Sequence, residues 1–282
     1  MRLCLLGTGS PAPLPDRQGS ALLISHEHEH ILIDAGRGAT TQLVRAGVVP
    51  QDLSALLITH HHYDHIGSLG DLLLTAWHGG AASLPVVGPP GSDAIVAALL
   101  GQVYGREIAF TLALARAVGQ PRRDIREVIA VTTIGHGQTY RQGAWSVAAA
   151  AVEHGHGLGL SQEEWPCLGY RVEIGGKSVA VSGDTVACAN LVELARGADA
   201  LVHCCFMAEA ALTTPYRRLV AEHVIASSGQ VGKLAAQAGV TRLILTHFTA
   251  RPPEMLAAIA ADVARDFAGP IVLGEDLMAI DI

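Results

Sequence analysis

The sequence lacks paired cysteines. Its five cysteines, Cys4, Cys167, Cys188, Cys204 and Cys205, form no CxxC motif and no regular spacing. Such a set is typical of reduced thiols in a cytoplasmic protein and argues against a disulfide scaffold. The adjacent pair Cys204 and Cys205 leaves open a redox or soft-metal function, although buried free cysteine commonly serves as a small hydrophobic residue. We therefore predict a cytoplasmic location.

Long hydrophobic segments are also missing, although 50% of the residues are hydrophobic. The longest uncharged run, from Leu72 to Ser92, is interrupted by the motifs GG and GPPG, so it cannot form a membrane-spanning helix. The opening residues, MRLCLLG, offer too few apolar positions for the core of a signal peptide. We therefore expect no membrane partner and no export of the chain.

Basic residues are scarce, and lysine most of all. The net charge is −7, and only Lys177 and Lys233 are lysines among the 19 basic residues. A nucleic-acid-binding protein usually presents a basic face, because neutralised phosphates supply most of its affinity. The one basic cluster, residues 116–128, is typical of a solvated helix face or a lid. This balance predicts that nucleic acid is not a partner.

What the sequence does contain is a regular alternation of strands and helices. Short apolar runs such as HILIDAG, LSALLITH, SVAVSGD and RLILTH end in Gly, Asp or His, which is typical of strands that lead into loops. Helical stretches lie between several of them, and SGQVGKLAAQAGV closes with a C-terminal glycine. The motif SHEHEHI predicts an exposed hairpin. The pattern predicts an α/β layered fold, with residues 1–282 in one domain and a candidate lid segment around 77–130.

Polar side chains follow four of the predicted strands. Asp34, His60, Asp184 and His247 each lie at or just beyond the C-terminal end of a strand. Active sites of α/β proteins collect at this edge, because loops converge there above a rigid sheet. These four residues therefore predict one common site at the sheet edge.

The densest group of candidate ligands is ITHHHYDHIG, residues 58–67. Four neighbouring histidines are unfavourable unless something binds them, since histidine titrates near neutral pH and costs stability when buried alone. His60 and His62 are two residues apart and point the same way on an extended chain. Asp64 and His65 follow where the chain turns into a helix. Neutral imidazole and carboxylate are usual zinc ligands, so the segment predicts one wall of a metal site.

The segment THHHYDHIG contains the pattern HxHxDH and resembles the signature of the metallo-β-lactamase superfamily. The segments LGTGSPAPLPDRQGSALLI, ILIDAG and VVGPPGS resemble the branch that holds tRNase Z, arylsulfatases and small phosphodiesterases. The resemblance covers nearly the whole chain. It implies an αββα sandwich with a two-zinc site at one edge of the two sheets.

The resemblance also implies a ligand set for two metal ions. The ligands would be His60, His62 and His154 for one ion, Asp64, His65 and His247 for the other, and Asp184 as a bridge between them. Zinc is the default metal, and the same set would accept manganese, iron or cobalt. A metal-bridging hydroxide would attack the substrate, since metal binding lowers the pKa of water to about 7. Asp64 is accordingly counted among the catalytic residues as well.

Two histidines are assigned less directly. The motif EHGHGLG offers both His154 and His156, and we favour His154 because it directly follows the predicted strand WSVAAAAVEH. His223 resembles the extra histidine with which this branch stabilises charge or protonates a leaving group, and Glu222 is a candidate orienting carboxylate. The alternative for His223 is a solvated histidine beside a helix, because the following residues depart from the HST or HTS pattern of the branch. Asp34 would support the metal loop through hydrogen bonds.

The substrate is the least constrained prediction. His154 and Asp184 are only 30 residues apart, whereas bacterial tRNase Z proteins carry a long Gly/Pro-rich arm in that interval. With the acidic charge, this favours a metal-dependent hydrolase of small esters: phosphodiester, sulfate ester, carboxylic ester or lactone. A tRNA 3′-processing endonuclease or a β-lactamase is the alternative, and the complete ligand set disfavours a non-enzymatic metal-binding protein. The expected partner is a small-molecule ester, and a homodimer is left open.

Overall fold

The computed structural model describes residues 1–250 and 252–282, which form two β-sheets with helices around them. The strands are β1 (Arg2–Gly7), β2 (Ala21–His26), β3 (Glu29–Ile33), β4 (Ala55–Leu57), β5 (Leu84–Gly88), β6 (Ile129–Thr133), β7 (Thr139–Gln142), β8 (Trp145–Ala151), β9 (Leu168–Ile174), β10 (Lys177–Val181), β11 (Ala200–Cys204), β12 (Leu243–Thr246), β13 (Ile271–Leu273) and β14 (Met278–Asp281). The first sheet has the order β14-β1-β2-β3-β4-β5-β6, and the second has the order β13-β12-β11-β10-β9-β8-β7.

Helices cover the outer faces of both sheets. The α-helices are α1 (Ala39–Arg45), α2 (Tyr63–Ile66), α3 (Leu69–His78), α4 (Ser92–Ala98), α5 (Gly105–Ala117), α6 (Ile125–Val128), α7 (Ala189–Ala195), α8 (Pro215–His223), α9 (Ser228–Ala238) and α10 (Pro253–Val263). Short 3-10 helices occupy Pro50–Asp52, His156–Leu158 and Glu209–Ala211, and a π-helical turn, Leu99–Val103, joins α4 to α5.

The alternation of side chains along each strand divides the core into three layers. In β3, Ile31 and Ile33 face the second sheet, whereas Leu32 faces the helices. This follows from the strand period of two, which sends neighbouring side chains to opposite faces. The central layer joins both sheets, and each outer layer joins one sheet to its helices. The arrangement is an αββα sandwich, which confirms the predicted fold.

Parallel strands bring the candidate ligands to one edge. In the first sheet β3, β4, β5 and β6 are parallel, with Ile33 opposite Leu57. In the second sheet β10, β11, β12 and β13 are parallel, with Val181 opposite Val202. Parallel neighbours end at the same edge, so the loops after β3, β4, β10 and β12 meet there.

The motif SHEHEHI forms the predicted hairpin. β2 and β3 pair antiparallel, with His26 opposite Glu29. The turn between them contains Glu27 in the left-handed region at φ 53°, and His28 is exposed. The histidines of this motif therefore lie in a hairpin outside the two His/Asp clusters that the structure forms among its described residues.

The segment 77–130 contributes β5 and the start of β6 to the first sheet, and the arginines of its basic cluster bond to neighbouring parts of the chain. Arg122 donates to the Trp77 carbonyl oxygen at 2.7 Å, and its guanidinium lies 5.2 Å from the Trp77 ring centre. Arg123 donates to the Ala82 carbonyl oxygen at 2.8 Å. These two arginines thus attach the loop between α5 and α6 to the C-terminal part of α3 and the loop that follows it. Most residues of α5 are exposed. A lid function for the segment stays a prediction, as does the single-domain assignment of 1–282.

Within residues 1–250 and 252–282, no single helix is long and apolar enough to cross a bilayer. One bent pair, Ser92–Val103 with Gly105–Ala117, meets the test of length and composition when its members are taken together.

Candidate metal centre

The first half of the site comes from the loop after β4. The backbone of His62 is extended, and α2 then begins at Tyr63, so that Asp64 and His65 lie in its single turn. His60, Asp64 and His65 are each about 1% exposed. A short extended segment followed by one helical turn therefore directs four potential ligands into a small buried volume.

The second half comes from three loops of the other sheet. His154 follows β8, Asp184 follows β10 and His247 follows β12. All three are buried, at 3–4% exposure. The site therefore lies between the ends of both sheets, as the sequence predicts for the edge where the strand ends converge.

One group of side chains joins three histidines with one carboxylate. His62 Nδ1 lies 3.0 Å from His60 Nε2 and 3.1 Å from His154 Nε2. Asp184 Oδ2 lies 3.9 Å from His154 Nε2. Ligand atoms of these four residues all lie within 4.8 Å of one another, which is compatible with a single bound cation.

A second group lies beside the first. His247 Nε2 is 3.2 Å from Asp64 Oδ2 and 3.1 Å from Asp184 Oδ2. His65 Nε2 is 3.5 Å from Asp184 Oδ2 and 3.8 Å from Asp64 Oδ2. The Asp184 carboxylate thus contacts histidines of both groups, as a bridging ligand would.

Hydrogen bonds on the far side of the imidazoles fix their orientation. His154 Nδ1 lies 2.7 Å from the Val224 carbonyl oxygen, which can only accept, so Nδ1 carries the proton and Nε2 presents its lone pair. His65 Nδ1 lies 2.7 Å from Asp34 Oδ2. Asp34 also accepts from the backbone N–H of Thr59 at 2.8 Å. Histidines that bind metals characteristically donate their other N–H in this way.

Two residues of the site adopt the left-handed backbone region. Asp34 has φ 62° and His247 has φ 64°. Residues other than glycine pay a free-energy cost there, so such conformations persist where the surroundings impose them, often at functional sites. Here they turn both side chains back toward the site immediately after β3 and β12.

Two glycines allow the loops to approach the Asp64 backbone closely. A Cβ atom on Gly36 would lie 2.2 Å from the Asp64 carbonyl oxygen, and one on Gly19 would lie 2.7 Å from the same atom. Ala35 N–H donates to the His65 carbonyl oxygen at 2.8 Å. The segment GRG that follows Asp34 in the sequence therefore packs directly against the histidine motif.

Electrostatics in the buried cluster separate the carboxylates from the imidazoles. Burial raises the pKa of Asp184, but the nearby His247 and His65 outweigh it and hold the pKa well below its ordinary value. Burial lowers the pKa of His65, yet Asp184 and Asp34 raise it well above its ordinary value. Burial, followed by the neighbouring His154, lowers the pKa of His62 to about 4. The carboxylates thus stay ionised and stabilise positive charge beside them.

The residues present fit a metal ion. Asp64 Oδ1, Asp184 Oδ1 and His65 Nε2 are buried and have no hydrogen-bond partner in the part of the chain that the structure describes. A buried polar atom without a partner is costly, so a cluster of them indicates a missing cation or other ligand. Five histidines and two aspartates form the donor set typical of zinc and its neighbours. The chain therefore has a metal site.

Sequence reasoning missed several supporting residues. The Trp165 ring centre lies 4.7 Å from that of His62 and 6.2 Å from that of His60, so the indole covers this side of the cluster. His156 is not in the cluster: its Nδ1 accepts from the His154 backbone N–H at 2.9 Å, and its Nε2 lies 3.0 Å from the Trp165 carbonyl oxygen. Neither contact has a sequence signal, because both depend on how the loop after β8 folds back.

His223 ends α8 next to the centre. Its side chain is 28% exposed, and Glu222 Oε1 lies 3.8 Å from its Nε2. Its carbonyl oxygen accepts from Gly155 N–H at 2.7 Å, and the next residue, Val224, holds His154. The structure thus places His223 beside the His154 loop, while its catalytic function stays a prediction.

The chain is similar to known proteins along its whole length. A family model described as the beta-lactamase superfamily domain matches residues 29–248. A protein named Ribonuclease Z from Mycolicibacterium paratuberculosis is 36% identical over 293 aligned positions, which cover 100% of this chain and 98% of that protein. A Ribonuclease Z from Mycobacterium marinum is 35% identical, with 100% and 99% covered.

Solved structures share the fold. Human tRNase Z, short form, superposes with a TM-score of 0.72 at 22% identity and covers 100% of this chain and 99% of its own. The metallo-beta-lactamase fold protein YhfI from Bacillus subtilis gives a TM-score of 0.75 at 17% identity, with 99% and 98% covered. At these identities the likeness shows the fold alone.

The relatives named Ribonuclease Z contradict two predictions. These are that nucleic acid is not a partner and that the substrate is a small molecule. The alignment with the first relative has 293 positions, against 282 residues in this chain. The aligned part of that relative therefore cannot contain an additional arm of tens of residues. A short interval between His154 and Asp184 therefore does not separate this chain from proteins of that name. Net charge failed as a criterion because it sums over the whole surface, whereas RNA meets only part of it.

The family model and the full-length relatives confirm three predictions: the superfamily, the fold and the hydrolytic activity on ester bonds. The clusters of histidine and aspartate occupy the edge where the sheets meet. The chain belongs to the metallo-β-lactamase superfamily of metal-dependent hydrolases.

Proposed function

We propose that the protein is an endoribonuclease that hydrolyses a phosphodiester bond in RNA, with the 3′ region of precursor tRNA as its substrate. The observation that carries this proposal is the full-length similarity, at 36% identity, to a protein named Ribonuclease Z. The buried cluster supports it, because two adjacent cation sites suit attack on a phosphodiester.

The proposed metal content is two zinc ions. His60, His62 and His154 would hold one, and Asp64, His65 and His247 would hold the other. Asp184 would be shared, since its Oδ2 lies 3.9 Å from His154 Nε2 and 3.1 Å from His247 Nε2. Bound zinc would lower the pKa of a water molecule to about 7 and polarise a phosphoryl oxygen.

The residues of the chain prepare this chemistry in three ways. Asp184 remains a carboxylate at neutral pH, because His247 and His65 hold its pKa low. Hydrogen bonds to Val224 and Asp34 aim the Nε2 atoms of His154 and His65 into the site. Trp165 covers the imidazoles of His60 and His62 and limits their access to bulk water.

His223 is proposed to donate a proton to the leaving oxygen. It lies at the C-terminal end of α8, half-buried, one residue before the carbonyl group that orients His154. A general acid must reach the leaving group while staying partly solvated, and this position meets both needs. Glu222 Oε1, 3.8 Å from His223 Nε2, is placed to orient the imidazole.

The test is a 3′-extended precursor tRNA incubated with zinc-loaded protein. We expect endonucleolytic cleavage near the 3′ end, and Asp184→Asn should reduce the rate by more than about 100-fold because it removes the shared ligand. Asp199→Asn is the matched control, since Asp199 pairs with Lys177 at 3.0 Å and lies outside the two clusters.

Bis(para-nitrophenyl) phosphate provides a second readout. If the wild-type protein hydrolyses this phosphodiester but leaves precursor tRNA intact, the proposed RNA substrate is wrong. If Asp184→Asn cleaves precursor tRNA as fast as Asp199→Asn, the proposed site is wrong.

A further inference from the structure

The helix α8 exposes large apolar side chains next to the metal centre. Tyr216 is 73% exposed and Leu219 is 44% exposed. Tyr216, Leu219 and His223 are spaced by three and four residues, so they share one face of the helix. Val220 and Ala221 are the buried residues of α8 and attach the helix to the rest of the chain.

This face is continuous with the centre. His223 packs against Gly157, where an added Cβ atom would lie 2.2 Å from the imidazole Nδ1. Gly155 and Val224 link the same loop and helix end to His154 through hydrogen bonds of 2.7 Å each. With a rise of about 1.5 Å per residue, Tyr216 lies about 10 Å along the helix from His223.

The loop after His154 adds further exposed apolar residues. Leu158 is 52% exposed and Leu160 is 46% exposed, and both follow Gly157 closely in the chain. We call the side chains of Tyr216, Leu219, Leu158 and Leu160 the α8 strip. It borders the centre on the side of His154 and His223.

Two arginines follow Tyr216 in the first turn of α8. Arg217 and Arg218 are exposed, and each donates one N–H to a nearby carbonyl oxygen, that of Ala211 and that of Leu212 respectively, at 3.0 Å. A guanidinium has five N–H donors, so both can also bind phosphate oxygens. Glu222 is the one acidic residue of α8, which leaves the helix with a net positive charge at neutral pH.

We infer that the α8 strip binds unpaired nucleotides of the RNA substrate beside the scissile phosphate. Tyr216 stacks on a base, while Arg217 and Arg218 contact neighbouring phosphates. An exposed aromatic ring beside basic side chains is the usual means of holding single-stranded RNA. The inference rests on the proposed function, and the continuity of the strip with the centre favours RNA over a protein or membrane occupant.

The test compares Tyr216→Ala with Tyr216→Phe, and uses Phe110→Ala as the matched control. Phe110 is also exposed, at 68%, but lies on α5. Loss of one base stack should raise KM for a 3′-extended RNA by about tenfold in Tyr216→Ala. Tyr216→Phe keeps the ring and should stay near wild type, as should Phe110→Ala.

Hydrolysis of bis(para-nitrophenyl) phosphate separates this inference from the proposed function. We expect the ratio of kcat/KM for RNA to kcat/KM for this small diester to fall about tenfold in Tyr216→Ala. If the wild type cleaves RNA and the ratio does not change, the inference is wrong while the proposed function stands. If the wild type cleaves only the diester, the proposed function fails. Binding of a labelled single-stranded oligoribonucleotide then tests whether the α8 strip holds RNA. Binding that Tyr216→Ala weakens supports the strip, and absence of binding by the wild type overturns it.

Salt dependence tests the arginines. Each phosphate contact with a single strand contributes about 0.7 to the slope of log affinity against log salt concentration. Arg217→Gln should therefore weaken oligoribonucleotide binding and reduce the slope by about 0.7. An unchanged slope in Arg217→Gln would remove Arg217 from the binding surface.

Discussion

At the scale of single residues, the metal centre depends on partners that bind no metal themselves. Asp34 accepts from Thr59 N–H at 2.8 Å and lies 2.7 Å from His65 Nδ1, so one carboxylate fixes both the start of the histidine loop and one imidazole. Its left-handed φ of 62° gives it this reach. Asp34 thus acts on the centre through position rather than through ligation.

We expect Asp34→Asn to weaken zinc binding by about 10- to 100-fold, because the neutral amide supports the His65 imidazole less strongly than the carboxylate does. Competition with a chromophoric chelator measures this. Asp199→Asn again provides the control, and equal zinc affinity in the two variants would contradict the assignment.

His203 provides a prediction for pH. It is fully buried, its Nδ1 lies 2.6 Å from the Cys204 carbonyl oxygen, and burial lowers its pKa to about 4. An unfolded chain holds histidine near its ordinary value of about 6.5, so between these values the unfolded state binds more protons than the folded state. Stability must therefore fall as the pH drops from about 6.5 toward 4.

We expect His203 to account for about 2 kcal/mol of the loss in unfolding free energy between pH 7 and pH 5. Denaturant unfolding of the metal-free protein at both pH values measures this loss. It should be smaller in His203→Gln than in His28→Gln, which changes an exposed histidine. Equal losses in the two variants would show that His203 does not titrate as described.

Residue types and spacing indicated which side chains the structure brings together, while their function as ligands stays a prediction. The pattern HxHxDH, with His154, Asp184 and His247 at strand ends, contains every member of the two clusters. The partners Val224, Trp165 and Thr59 could not be predicted in the same way. Val224 acts through its carbonyl oxygen, which any residue type could supply. Trp165 acts through its ring face, which an aromatic residue at many other positions could supply.

At the scale of elements, α9 and α10 cross at a glycine. A Cβ atom on Gly232 would lie 2.7 Å from the Val263 carbonyl oxygen and 3.0 Å from its Cα. The two helices together cover the second sheet, with Val231 and Leu234 of α9 buried against its strands. The absence of a side chain at Gly232 therefore sets how closely the helices pack.

Gly232→Ala should lower the free energy of unfolding by about 1–3 kcal/mol, because backbone atoms of α10 must move to admit the methyl group. Gly101→Ala is the matched control: an added Cβ there meets nothing within 4 Å. Alanine suits a helical turn better than glycine, so Gly101→Ala should be neutral or stabilising. An unchanged free energy of unfolding in Gly232→Ala would show that α9 and α10 are not closely packed at this position.

Elements with strong local signals were predictable. α9 begins with a capping box at Ser227 and Gln230 and ends at Gly239 with φ 63°, as the predicted C-terminal glycine requires. Neither α5 nor α8 was predicted. α5 buries only Ile108, and α8 buries only Val220 and Ala221, so neither shows the broad apolar face that marks a packed helix.

At the scale of the whole molecule, the metal centre joins the two sheets. Its ligands follow β4 in the first sheet and β8, β10 and β12 in the second. A ligand that binds only the folded state stabilises it according to concentration and affinity. Metal binding should therefore stabilise the packing of one sheet on the other.

Zinc at about 100 times its dissociation constant should add about 2.7 kcal/mol to the unfolding free energy and raise Tm by roughly 5–10 °C. Calorimetric titration should also give two ions per chain. Asp184→Asn should show a smaller Tm increase than Asp199→Asn. A stoichiometry of one would contradict the proposed pair of ions.

The order of the strands also determines when the metal centre can form during synthesis of the chain. Sheet one is nearly complete once β6 has been made, yet His154, Asp184 and His247 all belong to the half of the chain that follows. A ribosome adds about 5 to 20 residues per second, so His247 follows His65 by roughly 10 to 40 seconds. Until His247 is made, the set of partners from the second sheet for His60, His62 and His65 is incomplete, and the complete centre can load its metal only near the end of synthesis.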